Sequence, residues 1–257
     1  MQILTIDIGN SNIVIGCAVD HKVEFVERMH TSNTKTDLEY AIDCHMVLEL
    51  HKIDATQLDG AIISSVVPPL TDKLALAIKK LTGIEPMIVG PGIKTGLNIL
   101  MDQPSQVGSD LVVASVAAMH DYGAPVIVID MGTATTMTVV DKNRNFIGGL
   151  ILPGVQLALQ SLENGTAQLP KIHLKAPEKV IGGNTIDCMQ SGLVFGNASA
   201  IDGLLDRMMN EMGYTATVVA SGGLAPLIVP HCSHKIILDD ELLLKGLDIL
   251  FEKNHKN

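Results

Sequence analysis

Apolar and polar positions alternate along the first thirty residues in a way that predicts three consecutive strands. The run Ile3-Leu4-Thr5-Ile6-Asp7-Ile8 is almost continuously apolar, and Asn12–Val19 and Val23–Met29 follow with a turn at Asp20-His21-Lys22 between them. Thr36-Asp37-Leu38-Glu39 then has the form of a capping box, and Ile42, Met46 and Leu50 recur at helical spacing, which predicts a first helix. Gly60-Ala61-Ile62-Ile63-Ser64-Ser65 reads as a buried strand ended by Pro68-Pro69. A helix is expected over Asp72–Leu81, stopped at Gly83, with a short strand at Met87-Ile88-Val89-Gly90. The predicted order is β-β-β-α-β-α-β.

The same grammar restarts at Val126. Val126–Asp141, a turn at Lys142-Asn143-Arg144-Asn145, and Phe146–Leu152 predict a second three-strand meander. Helices are expected near Gln156–Leu162 and over Thr185–Met212. A strand at Thr217–Gly223, a short helix and strand, and a closing helix from Asp239 complete the series. An Asp-x-Gly turn ends the first strand of each half: Asp7-Ile8-Gly9 and Asp130-Met131-Gly132. One such turn is weak evidence, but two in the same context about half a chain apart predict a duplicated fold with a cleft between its halves. Tyr122-Gly123-Ala124-Pro125 breaks the preceding helix, which sets the expected division at 1–122 and 123–257.

Composition narrows the partners. The 257 residues are 47% hydrophobic with 23 glycines and an 18% charged fraction, as in a compact α/β protein and unlike a disordered chain. A formal charge of −10 without a basic run gives no footprint for a nucleic-acid backbone. No apolar stretch reaches the ~18 residues needed to span a bilayer. Met1–Asn10 reads as a strand and not as a basic-then-apolar leader, so a cytoplasmic protein without membrane partners is expected. The four cysteines, Cys17, Cys44, Cys188 and Cys232, show no spacing typical of a zinc site or a disulfide framework.

The two turns carry the candidate chemistry. A phosphate-binding hairpin needs small residues, so that backbone N–H groups can approach anionic oxygens, and hydroxyl or amide side chains to add hydrogen bonds. Asp7-Ile8-Gly9-Asn10-Ser11-Asn12 meets that description, and so does Asp130-Met131-Gly132-Thr133-Ala134-Thr135-Thr136. The two aspartates could order a cation or its water shell, or merely close hairpin turns. A third acid, Asp110 in Pro104-Ser105-Gln106-Val107-Gly108-Ser109-Asp110, heads an apolar helix. It either complements the helix dipole or serves as a general base toward an attacking hydroxyl.

With these segments in order, the chain resembles the type III pantothenate kinases, members of the acetate and sugar kinase, heat-shock chaperone and actin superfamily. The likeness runs through Asp7–Asn12, Ser64–Leu70, Gly90–Gly96, Pro104–Asp110, Asp130–Thr136, Gly148–Gly154, Ile181–Thr185, Ser191–Gly203, Ser221–Gly223 and Leu242–Leu247. Asp130–Thr136 followed by Gly148–Gly154 is its most specific part. The resemblance implies two tandem ribonuclease-H-like halves with an interlobe ATP cleft, and transfer of phosphate from ATP to pantothenate, the first step of coenzyme A biosynthesis. It further implies ATP phosphate contacts from Asp7, Gly9, Asn10, Ser11, Asn12 and Thr133, with Ser221-Gly222-Gly223 near the adenosine. Asp130 would help hold a monovalent cation, potassium or ammonium, with magnesium accompanying ATP. Asp110 would be the catalytic base. Gly108, Ser109, Asp110 and Leu111 would line the acceptor site, and Thr185 would reach it from the neighbouring subunit of a homodimer. That dimer is also expected from the apolar positions Leu193, Ile201, Leu204, Leu205, Met208 and Met209 on the long helix.

The resemblance breaks at two positions. The family pattern around the base is Gly-x-Asp-Arg, with the arginine meeting the substrate carboxylate, and this chain has Leu111 there. Where the family usually has an aromatic residue beside pantothenate, it has Met101. Either another cation such as Lys94 or Arg28 compensates, or the acceptor is a different small alcohol, a neutral polyol or nucleoside-like compound. A non-catalytic ATP-binding relative is a third reading. Asp110 and the two phosphate turns count against it.

Overall fold

The computed structural model describes residues 1–255. The chain divides into two compact units, one made of Met1–Asp121 and Glu241–Asn257, the other of Tyr122–Asp240.

In chain order the first unit holds β1 (Gln2–Ile8), β2 (Asn12–Val19), β3 (Lys22–His30), α1 (Asp37–Leu50), β4 (Gly60–Ser65), α2 (Pro68–Thr82), β5 (Met87–Ile88), β6 (Asn98–Ile99) and most of α3 (Ser109–Tyr122). Its sheet runs β3-β2-β1-β4-β5, antiparallel through β1 and then parallel. The β2–β3 connection is tight, with Asp20 and His21 both at positive φ, as a two-residue hairpin turn requires. The capping box at Thr36 forms, its hydroxyl accepting from Glu39 N at 3.3 Å while Glu39 accepts from Thr36 N at 2.7 Å.

Strand β1 is buried on both faces, which is why its apolar run is nearly continuous. Leu4, Ile6 and Ile8 pack with Tyr40, Cys44 and Leu48 of α1 and Leu70 and Leu74 of α2. Ile3 faces the other way, toward Val112, Val113 and Val116 of α3 and Leu244, Leu247 and Phe251 of α7 (Leu242–His255).

The second unit holds β7 (Val126–Met131), β8 (Ala134–Val140), β9 (Asn145–Pro153), α4 (Val155–Gly165), α5 (Thr185–Met212), β10 (Thr217–Ser221), α6 (Ala225–Ile228) and β11 (Ile237–Leu238). Its strands run β9-β8-β7-β10-β11, the order of the first unit repeated. Ile127, Ile129 and Met131 of β7 pack with Val155 and Leu159 of α4 and with Leu193, Val194, Ile201 and Leu205 of α5.

Several sequence expectations change. Ile42, Met46 and Leu50 are exposed, and the buried face of α1 is instead Tyr40, Ala41, Cys44 and Leu48. Both stripes have a four-residue period, so spacing alone does not choose between them. The hydroxyl of Tyr40, which donates to Ser32 O at 2.7 Å, gives the polar-tipped ring a partner on the inner side. Helix α2 starts at Pro68 rather than Asp72, since proline is suited to the first turn, where no N–H is needed.

The boundary also differs, because the closing helix α7 belongs with the first unit and not with residues 123–240. Three glycines permit its approach. A Cβ on Gly246 would lie 2.2 Å from Val113 O, one on Gly60 2.2 Å from the Phe251 ring, and one on Gly16 2.4 Å from Leu244.

The Gly246 contact is against backbone, which cannot rotate away. Gly246→Ala is expected to cost about 1–3 kcal/mol in urea denaturation, the range for overpacking a closed contact. Gly192→Ala in α5, where a Cβ meets nothing within 4 Å, is expected to stabilise by about 0.5–1 kcal/mol through helix propensity. Equal effects at the two sites would contradict this account of α7.

Candidate functional site

In the first unit the candidate residues gather at the C-terminal ends of the parallel pair β1 and β4. Asp7 is buried, 5% exposed, and lies in register with Ser64. The turn that follows is tied from within the protein. Gly9 N donates to Asn12 O at 3.0 Å, Thr31 N to Ser11 O at 3.0 Å, and the Thr31 hydroxyl to Gly9 O at 2.7 Å. Because a trans peptide sends its C=O and the next N–H in opposite directions, fixing Gly9 O inward turns the Asn10 amide outward. Asn10 and Asn12 are exposed and Ser11 half-buried. A Cβ on Gly9 would fall 2.9 Å from Asn12 O, so the tight turn depends on glycine.

Asp110 stands in the first turn of α3. Its Oδ1 accepts from Leu111 N at 2.8 Å. Burial pushes its carboxyl above the ordinary aspartate range, and the N–H groups of Leu111 and of Asp110 itself pull back only in part. Gly108 makes room for this carboxylate, since a Cβ there would lie 2.4 Å from Asp110 Oδ1. Leu111 is half-buried in the same turn, while Met101 is exposed. The hydroxyl of Ser109, a residue expected to line the acceptor site, is turned onto Ser64 and Ser65 at the end of β4.

In the second unit Asp130 is the penultimate residue of β7, in register with Thr136 of β8 and Ser221 of β10. Gly222 follows at φ +98°, and a Cβ on it would stand 2.7 Å from both Asp130 Oδ1 and Met131 N. Only glycine lets this backbone lie against the aspartate. The turn itself is stapled to the start of α4, with Gly132 N donating to Ala134 O and Gly154 N to Thr133 O, both at 3.1 Å. The Thr133 residue is exposed and Thr135 buried. Among the described residues, no group of three or more His, Cys, Asp or Glu side chains is placed to hold a metal ion.

Thr185 is exposed at the first position of α5, where the Asn184 side chain caps the helix by accepting from Asp187 N at 3.0 Å. The expected apolar stripe further along α5 is core: Leu193, Ile201 and Leu205 are buried, and Leu204, Met208 and Met209 pack against them. The exposed apolar side chains near Thr185 are Val180, Ile181 and Ile186. Sequence reasoning gave no role to Thr31 or Thr71, and it quoted Ser64 and Ser65 only as part of a matching segment. Two adjacent hydroxyls at the end of a buried strand were the available signal.

Solved structures share this architecture. A conserved protein from Campylobacter jejuni described as a Baf family transcriptional activator matches with a TM-score of 0.60 at 18% identity, covering 99% of this chain and 100% of that one. A protein from Listeria monocytogenes described as an N-acetylmannosamine kinase matches with a TM-score of 0.51 at 12% identity, covering both chains fully. These likenesses, at 18% and 12% identity, concern the fold alone. The sequence is more specific. The family model for type III pantothenate kinase matches residues 3–207. The type III pantothenate kinase of Halalkalibacterium halodurans is 42% identical over 253 residues, covering 98% of this chain and all of the relative, and further relatives of the same name are 39–42% identical. The chain belongs to the type III pantothenate kinase family and is classed with it as a phosphotransferase.

The burial of Asp110 has a consequence for stability. Its carboxyl is raised in the folded state, so folding favours the protonated form. Stability from this group is fully present below the unfolded value and declines as pH rises through the folded one. Asp110→Asn removes that loss, and the variant is expected to equal or exceed the wild type in denaturant midpoint at pH 7. The difference should shrink toward pH 4. A variant less stable than wild type at pH 7 but not at pH 4 would reverse the assignment.

Proposed function

We propose that this chain transfers the γ-phosphate of ATP to the primary hydroxyl of pantothenate, in the cytoplasm, as the opening step of coenzyme A biosynthesis. The observation that carries this reading is the near full-length match to enzymes of that name, together with Asp7 near the end of β1 and Asp110 in the helix turn whose Ser109 bonds to the end of the parallel neighbour β4. The same match favours pantothenate over the different alcohol that Leu111 raised.

The halves are read as tandem ribonuclease-H-like units, each supplying one phosphate turn. The repeated strand order supports this. Gly9, Asn10, Ser11 and Asn12 of the first turn and Thr133 of the second hold the ATP phosphates through backbone amides and side-chain donors, and Asp7, whose carboxylate only accepts, would meet them through a cation or its water shell. Asp110 accepts the proton of the attacking hydroxyl as the new O–P bond forms. The bond from the γ-phosphorus to the β–γ bridging oxygen breaks, and ADP leaves with that electron pair. Magnesium bound with ATP and a monovalent cation beside Asp130 supply countercharge to the phosphates. The raised carboxyl of Asp110 is suited to its role, since a base nearer neutrality holds the proton better.

Acceptor contacts fall to Gly108, Asp110 and Leu111, with Thr185 contributed by a second copy in a homodimer. Thr185 is exposed with Val180, Ile181 and Ile186, of which Ile181 is 88% exposed, and apolar side chains so placed suit an interface.

The test is turnover of ATP and pantothenate by the purified protein, with product identified by mass spectrometry. Activity in potassium or ammonium should exceed that in sodium, and light scattering under assay conditions should show a dimer. Asp110→Asn should lower kcat by roughly 100-fold or more while ATP binding is kept. No turnover of pantothenate would overturn the acceptor, equal rates in all three salts the cation, an active monomer the shared site, and an unchanged kcat the base.

Leu111→Arg is expected to raise kcat/KM for pantothenate by about tenfold or more, since a charge-assisted contact to a carboxylate contributes about 1.5–3 kcal/mol. A lower kcat/KM would mean that the half-buried leucine is itself part of the acceptor wall.

A further inference from the structure

The proposed base sits on a helix whose backbone ladder begins at Gly108 O, which accepts from Val112 N at 3.3 Å, and glycine has no side chain with which to cap it. What fixes that turn is Ser109. Its hydroxyl donates to Ser65 O at 3.0 Å and accepts from the Ser64 hydroxyl at 2.9 Å and from Ser65 N at 3.2 Å. One donor and two lone pairs are the whole capacity of a hydroxyl, so Ser109 is fully engaged.

Its partners are themselves held. Ser64 is fully buried in β4, and Ser65 Oγ accepts from the Thr71 hydroxyl at 2.9 Å and from Val67 N at 3.1 Å, tying the strand end to α2. Ser64 is also the residue in register with Asp7. A continuous set of hydrogen bonds thus links the strand carrying Asp7, the strand end at Ser64-Ser65, and the turn carrying Asp110.

We propose that Ser109 is a positioning residue for the reaction: through Ser64 and Ser65 it holds the first turn of α3 so that the carboxylate of Asp110 meets the acceptor hydroxyl at the reacting distance. The inference rests on the reading of Asp110 as base. Alanine at 109 would leave the C=O and N–H of Ser65 and the hydroxyl of Ser64 without this partner at a half-buried junction, and the turn would relax. Proton transfer is sensitive to that relaxation, because a displacement of about 1 Å can cost on the order of 100-fold in rate. ATP and acceptor binding are not, since Ser109 presents no free hydroxyl to either.

Steady-state kinetics of Ser109→Ala, Ser109→Thr, Ser64→Ala and Asp110→Asn, with thermal melts of each, provide the test. Ser109→Ala should lower kcat by roughly 10- to 100-fold with KM for both substrates within about threefold of wild type. Ser109→Thr, which keeps the hydroxyl, should regain most of the lost kcat. Ser64→Ala, losing one of the three bonds, should fall between and serves as the readout if Ser109→Ala does not fold. A wild-type kcat in Ser109→Ala, a loss not restored by threonine, or a change confined to KM overturns the proposal while Asp110→Asn remains inactive. If Asp110→Asn turns over normally, the base assignment fails first and this inference with it.

Discussion

The structure depends on one constraint met twice: an apolar strand buried on both sides must end in a polar turn that the fold can hold still. Strand β1 closes on Asp7 and Ile8 just before Gly9, β7 on Asp130 and Met131 just before Gly132, and each is flanked by an antiparallel partner on one side and a parallel one on the other. A parallel neighbour brings a second strand end to the same place, and that is where Ser64-Ser65 and Ser221-Gly222 come from. Ligand sites at the carboxyl ends of parallel strands follow from this geometry, since the side chains and amides leaving the sheet point the same way.

The two turns achieve their rigidity differently. The first is secured by Thr31, whose backbone and hydroxyl hold two of the turn's carbonyls, and the second by Gly154, whose N–H reaches Thr133 O. The remaining restraint is steric. Gly9 and Gly222 each sit where a methyl group would strike backbone or the aspartate itself. Glycine here serves contact as much as conformational freedom.

Much of this was legible beforehand. The Asp-x-Gly repeat, the succession of strands and helices along each half, the capping box at Thr36 and the full extent of α5 can be read from periodicity and turn residues, because these are local signals. The acids Asp7, Asp110 and Asp130 stood out for the same reason. What was not legible is tertiary. The inner face of α1 is decided by the partner available to Tyr40, and the stripe on α5 reads the same whether it meets its own sheet or another molecule. The inward turn of Ser109 depends on β4 arriving beside it, 44 residues away in sequence from Ser65. The assignment of α7 to the first unit depends on Gly16, Gly60 and Gly246, which look unremarkable until the helix is laid against them.

The seating of α7 has a bearing on how the chain comes to exist. One face of the first unit's sheet is covered by Leu244, Leu247 and Phe251, which are translated only after the whole of residues 122–240. During synthesis, residues 122–240 emerge complete and can collapse on their own core, while the earlier unit waits with Ile3 and Ile62 lacking that cover. The unit whose strands are made first is therefore completed only after the second unit has been made, and the sheet that holds the turn after β1 gains the cover of α7 only then.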